Sequence, residues 1–371
     1  MKAAVLYEIS KPLQVEEVTL DEPQDHEVLI KLMATGTCHS DLHFMKGDMP
    51  VPTPVVVGHE GAGIVEKVGP GVTTLKPGDH VVLMVGFSCG KCYFCAGGRP
   101  TLCVENLPIQ MMATLPGGGK RLRKGDQELH HLFGLACFAE YAVVHERSAV
   151  KIREDAPFEV VCVLGCGTST GIGAVLNTAG LRAGESIVIY GCGGVGLGAV
   201  MAAKLAGAGI IIAVDKVDRK LEIAKELGAD YVVNAARENP QERVASITGK
   251  DVLSPLQAGA DYAMECIGNA DVMMQAFGSI HIGGKCLVMG MAPLGSMLNI
   301  APFEFLLGKT ITGSTQGDIK PLIDVPRYID LYMAGKLPLD KLITRSYGLD
   351  EINEAFGALE RGEVIRSVVR F

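Results

Sequence analysis

Apolar positions are grouped differently in the two parts of this chain. Up to about residue 165 they come in short runs, for example 28–30, 63–65 and 80–83. Turn signals such as Gly69-Pro70-Gly71 separate these runs, which is typical of short strands in a β-rich region. No repeat and no low-complexity segment interrupts the pattern.

From about residue 167, helix-like stretches alternate with continuous apolar runs. Helical spacing is found around 171–179 and at 197–205, and the intervening apolar runs predict strands at 186–190, 210–214, 262–266 and 285–290. Strands that alternate with helices predict a parallel, doubly wound sheet. The chain then returns to amphipathic helix at 329–333 and 349–359, followed by a strand at 367–371. The predicted fold class is therefore α/β, with a β-rich domain beside the parallel sheet.

The turn after the predicted strand at 186–190 has the spacing G-x-G-x-x-G. Here the motif follows a strand and opens a helix, which is the context that dinucleotide binding requires. The first glycine makes the tight turn, the second lets a pyrophosphate approach the backbone, and the third packs helix against strand. A glycine turn without a ligand is the alternative. The residues expected to contact the dinucleotide are Gly191, Gly193, Gly194, Val195 and Gly196.

Asp215 lies at the end of the next predicted strand. A carboxylate there would accept hydrogen bonds from the adenosine ribose hydroxyls and repel a 2′-phosphate, so we predict NAD rather than NADP. Lys220, on the following helix, could reach the same ribose, with a solvated lysine as the alternative. Arg366, just before the last strand, could pair with the pyrophosphate.

Composition limits the range of possible functions. The 371 residues suit two domains, and a net charge of −8 without a Lys/Arg block gives no indication of nucleic-acid binding. No apolar run reaches the roughly 20 residues that cross a bilayer, and residues 1–8 lack the apolar core of a signal peptide. We therefore expect a cytoplasmic protein without a membrane partner. In a reducing compartment, eleven cysteines indicate metal binding rather than disulfides.

Four cysteines form the pattern C-x2-C-x2-C-x7-C in a glycine- and lysine-bearing loop. They are Cys89, Cys92, Cys95 and Cys103. Four thiolates this close together can complete a tetrahedral shell that leaves no position for water, which predicts a structural zinc site. An iron–sulfur cluster is the alternative, although it usually serves electron transfer.

Three further residues are scattered along the chain: Cys38, His59 and Cys166. Each alone has an ordinary interpretation, because a single cysteine is more often a packing residue than a ligand and a histidine often occupies a turn.

Taken together, five motifs resemble the zinc-containing medium-chain alcohol dehydrogenases, in order and in spacing. They are Cys38-His39-Ser40-Asp41, Gly58-His59-Glu60-Gly61-Ala62-Gly63, the four-cysteine loop, Gly165-Cys166-Gly167 and the turn at 191–196. The resemblance covers essentially the whole chain. It implies a GroES-like catalytic domain at 1–167 and 316–371 and a Rossmann NAD-binding domain at 168–315.

The resemblance also implies two zinc ions per chain and a set of residue roles. Cys38, His59 and Cys166 would hold a catalytic zinc whose fourth position takes water or alcohol. Such a zinc lowers the pKa of the alcohol, and hydride passes to the nicotinamide. The same family pattern implies roles for further residues. Ser40 would touch the alcohol oxygen and His43 would hand the proton to water, while His39 would contact the pyrophosphate and is a further candidate to carry the proton. Glu60 and Asp41 would orient the metal ligands, and Thr170 would face the nicotinamide. A plain surface carboxylate is the alternative for Glu60.

The substrate pocket would be lined partly by Met49, Leu132, Phe133 and Met291, by position in the family pattern. All four are apolar, which favours a primary aliphatic or aryl alcohol over a polyol, although such residues would equally serve as core. The branch that oxidises S-(hydroxymethyl)glutathione carries two acidic residues shortly after the first zinc cysteine, plus an arginine further along. This chain offers only Asp48, so that activity is the alternative, together with a nicotinoprotein that never releases NAD.

Other classes fit less well. A structural or redox-responsive relative that has lost catalysis would not need all of Cys38, His59, Cys166, Ser40 and Asp215. A polyol or amino-alcohol dehydrogenase usually has an acidic residue in place of Cys166, and a zinc-free quinone reductase would lack both metal sets.

The segment 104–131 resembles the dimeric branch. We therefore expect a homodimer formed near 285–315, with a tetramer as the alternative.

Overall fold

The computed structural model describes residues 1–86, 88–249 and 254–371. These residues separate into two compact units. The first unit comprises Met1–Cys166, Lys320–Gly335 and Leu339–Phe371, and the second comprises Gly167–Ile319 and Lys336–Pro338.

Strands and helices are numbered in chain order. The strands are β1 Lys2–Leu6, β2 Gln14–Glu17, β3 Thr19–Leu20, β4 Glu27–Gly36, β5 Val55–Val56, β6 Gly61–Val68, β7 His80–Leu83, β8 Leu122–Lys124, β9 Gln127–His131, β10 Tyr141–His145, β11 Ala149–Lys151, β12 Ser186–Tyr190, β13 Ile210–Asp215, β14 Tyr231–Asn234, β15 Ala260–Glu265, β16 Ile280–Val288, β17 Thr310–Gly313, β18 Ile343–Gly348 and β19 Arg366–Arg370. The α-helices are α1 His39–Lys46, α2 Tyr93–Ala96, α3 Asn106–Met112, α4 Phe158–Val161, α5 Gly167–Gly173, α6 Gly194–Ala206, α7 Asp218–Leu227, α8 Pro240–Thr248, α9 Ala270–Gly278, α10 Phe303–Leu306, α11 Pro321–Met333 and α12 Ile352–Glu360. Short 3₁₀ turns lie at Pro100–Leu102, Pro116–Gly118, Leu132–Gly134, Glu146–Ser148, Cys162–Gly165, Pro255–Gln257, Gln316–Asp318, Leu339–Leu342 and Leu349–Glu351, and a π-helical turn lies at Ala174–Ala179.

The first unit is built on two mostly antiparallel sheets. One has the strand order β2-β1-β5-β9-β8-β3, and the other has the order β11-β7-β6-β4-β19-β18 with β10 also paired to β4. In β4 the alternate residues Val28, Ile30 and Leu32 are at most 1% exposed, because successive strand side chains point to opposite faces and one face lies on the core. The strand β19 pairs with the end of β4, at the point where the chain turns into α1.

The second unit is a parallel sheet of order β14-β13-β12-β15-β16-β17 with helices in the connections. All five residues of β12 are buried, as expected for a central strand of a sheet covered on both faces. The strand order reverses between β12 and β15, and this topological switch point is where open α/β sheets bind ligands. The predicted doubly wound parallel sheet is confirmed.

Predicted and observed elements differ mainly at their starts. The strand predicted at 285–290 begins at Ile280, because Gly283 and Gly284 interrupt the apolar run in the sequence. The helix predicted around 171–179 begins at Gly167 and continues as the π-helical turn, since its first residues are glycine, threonine and serine without apolar periodicity. The helix predicted at 329–333 starts at Pro321, a residue well suited to a first helical turn.

No single helix among the described residues is both long and apolar enough to cross a bilayer. One strongly bent pair, Phe158–Gly165 with Gly167–Ala179, reaches the required length and composition only when its two parts are joined.

Candidate metal centres and nucleotide-binding turn

The structure brings the three scattered residues of the first unit together. Cys38 precedes α1, His59 precedes β6, and Cys166 follows the 3₁₀ turn Cys162–Gly165. Their ligand atoms and a carboxylate oxygen of Glu60 all lie within 4.8 Å of one another. Two thiols and an imidazole at this separation match the ligand set of a catalytic zinc site.

The orientation of His59 tests whether this cluster fits a metal. Its ring is completely buried, and Nδ1 lies 2.9 Å from Oδ1 of Asp41, which also accepts the Gly58 N–H at 2.9 Å. The other ring nitrogen, Nε2, is buried and has no hydrogen-bond partner among the described residues. A carboxylate that fixes Nδ1 and leaves Nε2 for a ligand is the usual arrangement of a metal-binding histidine, so the residues fit zinc.

Charges within the cluster also favour metal binding. The pKa of Cys38 is well below its usual range because Cys166 donates a hydrogen bond to its sulfur and His59 lies beside it, whereas the pKa of Cys166 is raised. Burial lowers the pKa of His59, but the charge and hydrogen bond of Asp41, together with Cys38, outweigh burial and raise that pKa to about 10. A metal ion would therefore displace protons when it binds, which makes its affinity depend on pH.

Glu60 is buried at this cluster rather than on the surface. It forms an ion pair with Arg366, the first residue of β19, and the two side chains are 0% and 4% exposed. A Cβ atom at Gly36 would lie 2.3 Å from Oε2 of Glu60, so a larger residue there would displace this carboxylate. The structure thus places Arg366 beside the metal cluster. Its predicted contact with a pyrophosphate stays a prediction.

The helix α1 carries the residues predicted to move a proton. Ser40 Oγ lies 3.7 Å from Cys38 Sγ, and His43 follows three residues later, on the same side of the helix. Nδ1 of His43 is 2.8 Å from Oδ2 of Asp48. His39, the first residue of the helix, is exposed.

The predicted pocket residues fall into two groups. In the first unit, the Phe133 ring meets the His59 ring edge-on at 5.0 Å and the Phe44 ring at 5.2 Å, and its backbone has a positive φ of 56°. Met49 is half-buried against the core cluster that contains the completely buried Leu132. In the second unit, Met291 packs closely on Gly268, since a Cβ atom added at Gly268 would lie 2.2 Å from the Met291 carbonyl oxygen. Thr170 lies in α5. Phe133 is therefore the pocket residue that directly borders a metal-ligand candidate.

The cysteine quartet forms a second cluster in the first unit. The ligand atoms of Cys89, Cys92, Cys95 and Cys103 lie within 4.8 Å of one another. The Cys89 N–H donates to Cys103 Sγ and the Cys92 N–H donates to Cys89 Sγ, each at 3.3 Å. Backbone hydrogen bonds from Cys95 and Val104 lower the pKa of Cys92 to about 6, whereas burial raises that of Cys103 to about 12. Four sulfurs held by backbone donors fit a structural zinc ion.

A distant residue fixes the start of this quartet, and sequence reasoning missed it. Nη1 of Arg147 donates to the carbonyl oxygens of Ser88, at 3.3 Å, and Cys89. The sequence contains no signal for this contact, because the arginine lies outside the cysteine motif.

In the second unit, the three glycines of the dinucleotide motif have different surroundings. Gly191 has a φ of 98°, which only glycine adopts readily. A Cβ at Gly196 would lie 1.7 Å from the Gly191 carbonyl oxygen, so the helix α6 packs closely on the turn. A Cβ at Gly193 would meet no described atom within 4 Å. The space beside Gly193, at the N-terminus of a 13-residue helix, fits a pyrophosphate.

Asp215 connects the end of β13 to this turn. Its Oδ2 accepts the Cys192 N–H at 2.8 Å, and its Oδ1 accepts the N–H groups of Lys216 at 2.7 Å and Val217 at 3.0 Å. Lys220 is half-buried in α7, and its predicted contact with the ribose stays a prediction.

Sequence reasoning also missed three residues at the carboxyl ends of these strands. Val217 and Ile267 are 39% and 50% exposed, although both are apolar, and they follow β13 and β15. Glu265 is completely buried, and its Oε1 accepts N–H groups from Ile267 at 2.9 Å and Gly268 at 2.7 Å. Exposed apolar residues just after parallel strands were the available signal for a ligand site.

Comparisons with known proteins agree with this geometry. The family model for "Alcohol dehydrogenase GroES-like domain" matches residues 24–154, and the model for "Zinc-binding dehydrogenase" matches residues 194–332. An S-(hydroxymethyl)glutathione dehydrogenase of Synechocystis sp. is 40% identical, covering 100% of this chain and 99% of the relative. A benzyl alcohol dehydrogenase of Acinetobacter calcoaceticus has a similar structure, with a TM-score of 0.93 and 38% identity, covering 100% of this chain and 99% of that one. An alcohol dehydrogenase zinc-binding domain protein of Burkholderia ambifaria gives a TM-score of 0.94 at 38% identity, covering 100% and 98%.

The chain therefore belongs to the zinc-binding alcohol dehydrogenase family. The predicted family, fold class and enzyme class, an NAD-dependent zinc alcohol dehydrogenase, are confirmed. Zinc and NAD are its cofactors, and its substrate is a small-molecule alcohol or aldehyde.

Proposed function

We propose that this enzyme interconverts apolar primary alcohols, aliphatic or aryl, and their aldehydes. Hydride passes between the alcohol carbon and NAD. The first unit would supply the chemistry and the second unit would bind NAD. The observation that carries the proposal is the buried Nε2 of His59. The His59 ring lies in a cluster with Cys38 and Cys166 and meets the Phe133 ring edge-on.

Cys38, His59 and Cys166 would hold the catalytic zinc, which makes an alcohol oxygen more acidic when the ion is bound. Asp41 orients the His59 ring, and Glu60 with Arg366 supplies a buried charge pair next to it. The quartet of cysteines would hold a second, structural zinc.

The proton released from the alcohol needs a path to water. Ser40 Oγ lies 3.7 Å from the sulfur of Cys38, which supports a role for Ser40 as the first group to accept this proton. His43, three residues further along α1, has a side chain that is 24% exposed and can pass the proton to solvent. His39, which is exposed on the same helix, stays a candidate for contacting the cofactor phosphates.

The side chains in the first unit favour an apolar substrate. Phe133 and Met49 are half-buried apolar side chains, and the Phe133 ring lies 5.0 Å from the His59 ring. An aryl or alkyl group gains roughly 25 cal/mol for each square ångström of apolar surface that leaves water.

Oxidation of S-(hydroxymethyl)glutathione is the second candidate, because the Synechocystis relative with that name is 40% identical over the whole chain. Recognition of glutathione requires charged groups that are available to its amine and carboxylates. In this chain Asp48 is bound to His43. Arg121, one of the arginines that follow the cysteine quartet in the sequence, is bound to Glu27 by two hydrogen bonds of 2.8 Å. These pairings favour the apolar alcohol.

Metal analysis combined with a substrate panel tests the proposal. Purified protein should contain about two zinc ions per chain, as a catalytic and a structural site together require. It should reduce NAD with benzyl alcohol and octanol faster than with ethanol. Faster turnover with S-(hydroxymethyl)glutathione would select the second candidate, and NAD in a heat-denatured supernatant would identify a nicotinoprotein. One zinc ion, or no reaction with any alcohol, contradicts the proposal.

Two cysteine variants separate the metal sites. Cys166→Ala should remove one zinc ion and the activity but keep the fold, whereas Cys92→Ala should remove the other zinc ion and lower the unfolding temperature. Circular dichroism and metal analysis of both variants distinguish these outcomes. A Cys166→Ala enzyme that keeps its activity would show that this residue is not a ligand.

We also propose a homodimer in the cytoplasm. The strand β17 is an edge of the parallel sheet, and the residues before it expose apolar side chains: Leu294 70%, Met297 83%, Phe303 65% and Leu306 81%. A second copy would cover these side chains, which otherwise promote aggregation. Eleven cysteines, six of which are proposed zinc ligands, suit a reducing compartment. Light scattering of wild type and a Leu306→Asp variant measures the association, and a monomeric wild type contradicts it.

A further inference from the structure

The loop after α1 turns back onto His43. Gly47, with a φ of 82°, ends the helix, and its N–H points to the carbonyl oxygens of His43 and Phe44. The next two N–H groups, of Asp48 and Met49, donate to the same His43 carbonyl oxygen at 2.9 and 3.4 Å. This fold of the backbone brings the Asp48 carboxylate to the His43 ring, where Oδ2 lies 2.8 Å from Nδ1.

This contact determines which ring nitrogen of His43 can take up a proton. An ionised carboxylate only accepts hydrogen bonds, so Nδ1 must carry the hydrogen. In a neutral imidazole the second nitrogen, Nε2, then has the lone pair. Without the carboxylate, the ring could rotate and exchange its tautomers, and part of the population would present N–H instead of a lone pair to the incoming proton.

We propose that Asp48 is a positioning residue for proton release: it holds His43 in the orientation and tautomer in which Nε2 accepts the proton that leaves the alcohol. Ser40 Oγ takes the proton that leaves the alcohol oxygen and gives its own hydroxyl proton to Nε2, so Ser40 stays a neutral hydroxyl. The His43 ring becomes an imidazolium next to the Asp48 carboxylate, and Nε2 then gives the proton to water. The inference rests on the role of His43 in the proposed function.

The side chains of His43 and Asp48 are 24% and 38% exposed, which suits a relay that exchanges protons with solvent. The same helix carries a second surface ion pair, between Lys46 and Glu360, whose side chains are 43% and 53% exposed. That pair provides a matched control, because its removal perturbs α1 without touching His43.

The competing role for Asp48 is recognition of a substrate amine, as in the second candidate function. A carboxylate already bound to an imidazole is a poor partner for an amine, because the amine must replace a charge-assisted hydrogen bond. The two roles predict different effects of the same substitution. Loss of recognition raises KM for S-(hydroxymethyl)glutathione alone, whereas loss of positioning slows proton release with every alcohol.

The experiment measures proton release directly, with a pH indicator in single turnovers of the zinc- and NAD-loaded enzyme with benzyl alcohol. The variants are Asp48→Ala, Asp48→Asn, His43→Ala, the double variant with Ala at both positions, and Lys46→Met as control. A general base commonly contributes 10²–10⁴-fold to a rate, so His43→Ala should slow release by about 100-fold and Asp48→Ala by roughly tenfold. Asp48→Asn, whose amide oxygen still accepts from Nδ1, should lose less than Asp48→Ala.

Two further readouts exclude a general structural effect. Imidazole in the buffer should restore release in both His43→Ala and Asp48→Ala, and the double variant should be no slower than His43→Ala. The ¹⁵N spectrum of the His43 ring in zinc-loaded protein without substrate should show hydrogen at Nδ1 in wild type and a shift towards Nε2–H in Asp48→Ala. Lys46→Met should match wild type in all of these measurements.

The outcomes are distinguishable. If His43→Ala slows release and Asp48→Ala does not, the inference is wrong and the proposed relay stands. If Asp48→Ala changes only KM for S-(hydroxymethyl)glutathione, Asp48 is a specificity residue and the inference is also wrong. If His43→Ala itself releases protons at the wild-type rate, the relay in the proposed function fails and the inference fails with it.

Discussion

Replacing Gly193 by alanine should separate NAD binding from folding. The added Cβ meets no described atom within 4 Å, and the φ of Gly193 is −89°, which alanine adopts without strain. At the N-terminal cap of α6, glycine is better than alanine by no more than about 1 kcal/mol. The fold should therefore tolerate the substitution, with a decrease in unfolding temperature of a few degrees at most.

The substitution should weaken NAD binding much more than it destabilises the fold. In the proposed complex the new methyl group occupies the space beside the backbone where the pyrophosphate approaches. The N–H groups of the first turn of α6 would then lose hydrogen bonds to a charged group, each of which is worth about 1.5–3 kcal/mol. Loss of one such bond weakens binding by roughly 10- to 100-fold, since 1.4 kcal/mol corresponds to a factor of ten.

A titration of NADH fluorescence, together with thermal unfolding of the NAD-free protein, measures both effects. Gly196→Ala is the matched control, because its Cβ would lie 1.7 Å from the Gly191 carbonyl oxygen and should destabilise the protein itself. A Gly193→Ala protein that binds NADH with wild-type affinity would refute the assignment of this turn to the pyrophosphate. A Gly193→Ala protein that unfolds would refute the structural part of the reasoning.

Three other substitutions have defined outcomes. Asp41→Asn removes the charge that orients His59. Competition with a chelator should then show a 10- to 100-fold lower affinity for one zinc ion, which is the typical effect of losing a hydrogen-bond partner of a metal ligand. Arg147→Met removes the contact with the Cys89 carbonyl, so one zinc ion per chain should leave faster in a chelator assay while the other is unaffected. Burial alone would raise the pKa of Glu146, but hydrogen bonds from Thr74 and other neighbours lower it from 4.5 to about 2. Because the pKa of Glu146 is lower in the folded state, its ionised carboxylate stabilises the fold above pH 4.5. This stabilisation is lost as the pH falls towards 2. Urea unfolding should therefore show Glu146→Gln less stable by up to about 3 kcal/mol at pH 7, with the difference shrinking below pH 4.5.

The parts of the site that lie close together in sequence could be predicted from it. The glycine turn follows β12 and opens α6 as expected, and the cysteine quartet forms one cluster, because in both cases a single loop supplies all the groups. The scattered set of Cys38, His59 and Cys166 required the family resemblance. Each of these residues alone is chemically unremarkable, and only the sheets of the first unit bring them within 4.8 Å of one another.

Contacts that depend on side-chain direction could not be predicted. The sequence shows Asp48 five residues after His43, but not that a left-handed Gly47 turns the carboxylate back onto the ring. It also does not reveal that Arg366 lies on Glu60, since this pairing needs β19 to lie beside β4. Element starts were missed where glycine or proline interrupts the apolar periodicity, as in β16 and α11.

The position of β19 has a consequence for how the enzyme matures during synthesis. Cys38, His59 and Cys166 leave the ribosome early, whereas the guanidinium that neutralises Glu60 follows only after the whole second unit has been made. Until β19 pairs with β4, the cluster contains a carboxylate that cannot be buried without its counter-charge, and such a group strongly opposes closure. A nascent chain can therefore fold its cysteine quartet and its parallel sheet first. Completion of this cluster therefore waits for a strand translated some 200 residues later, at Arg366 compared with Cys166.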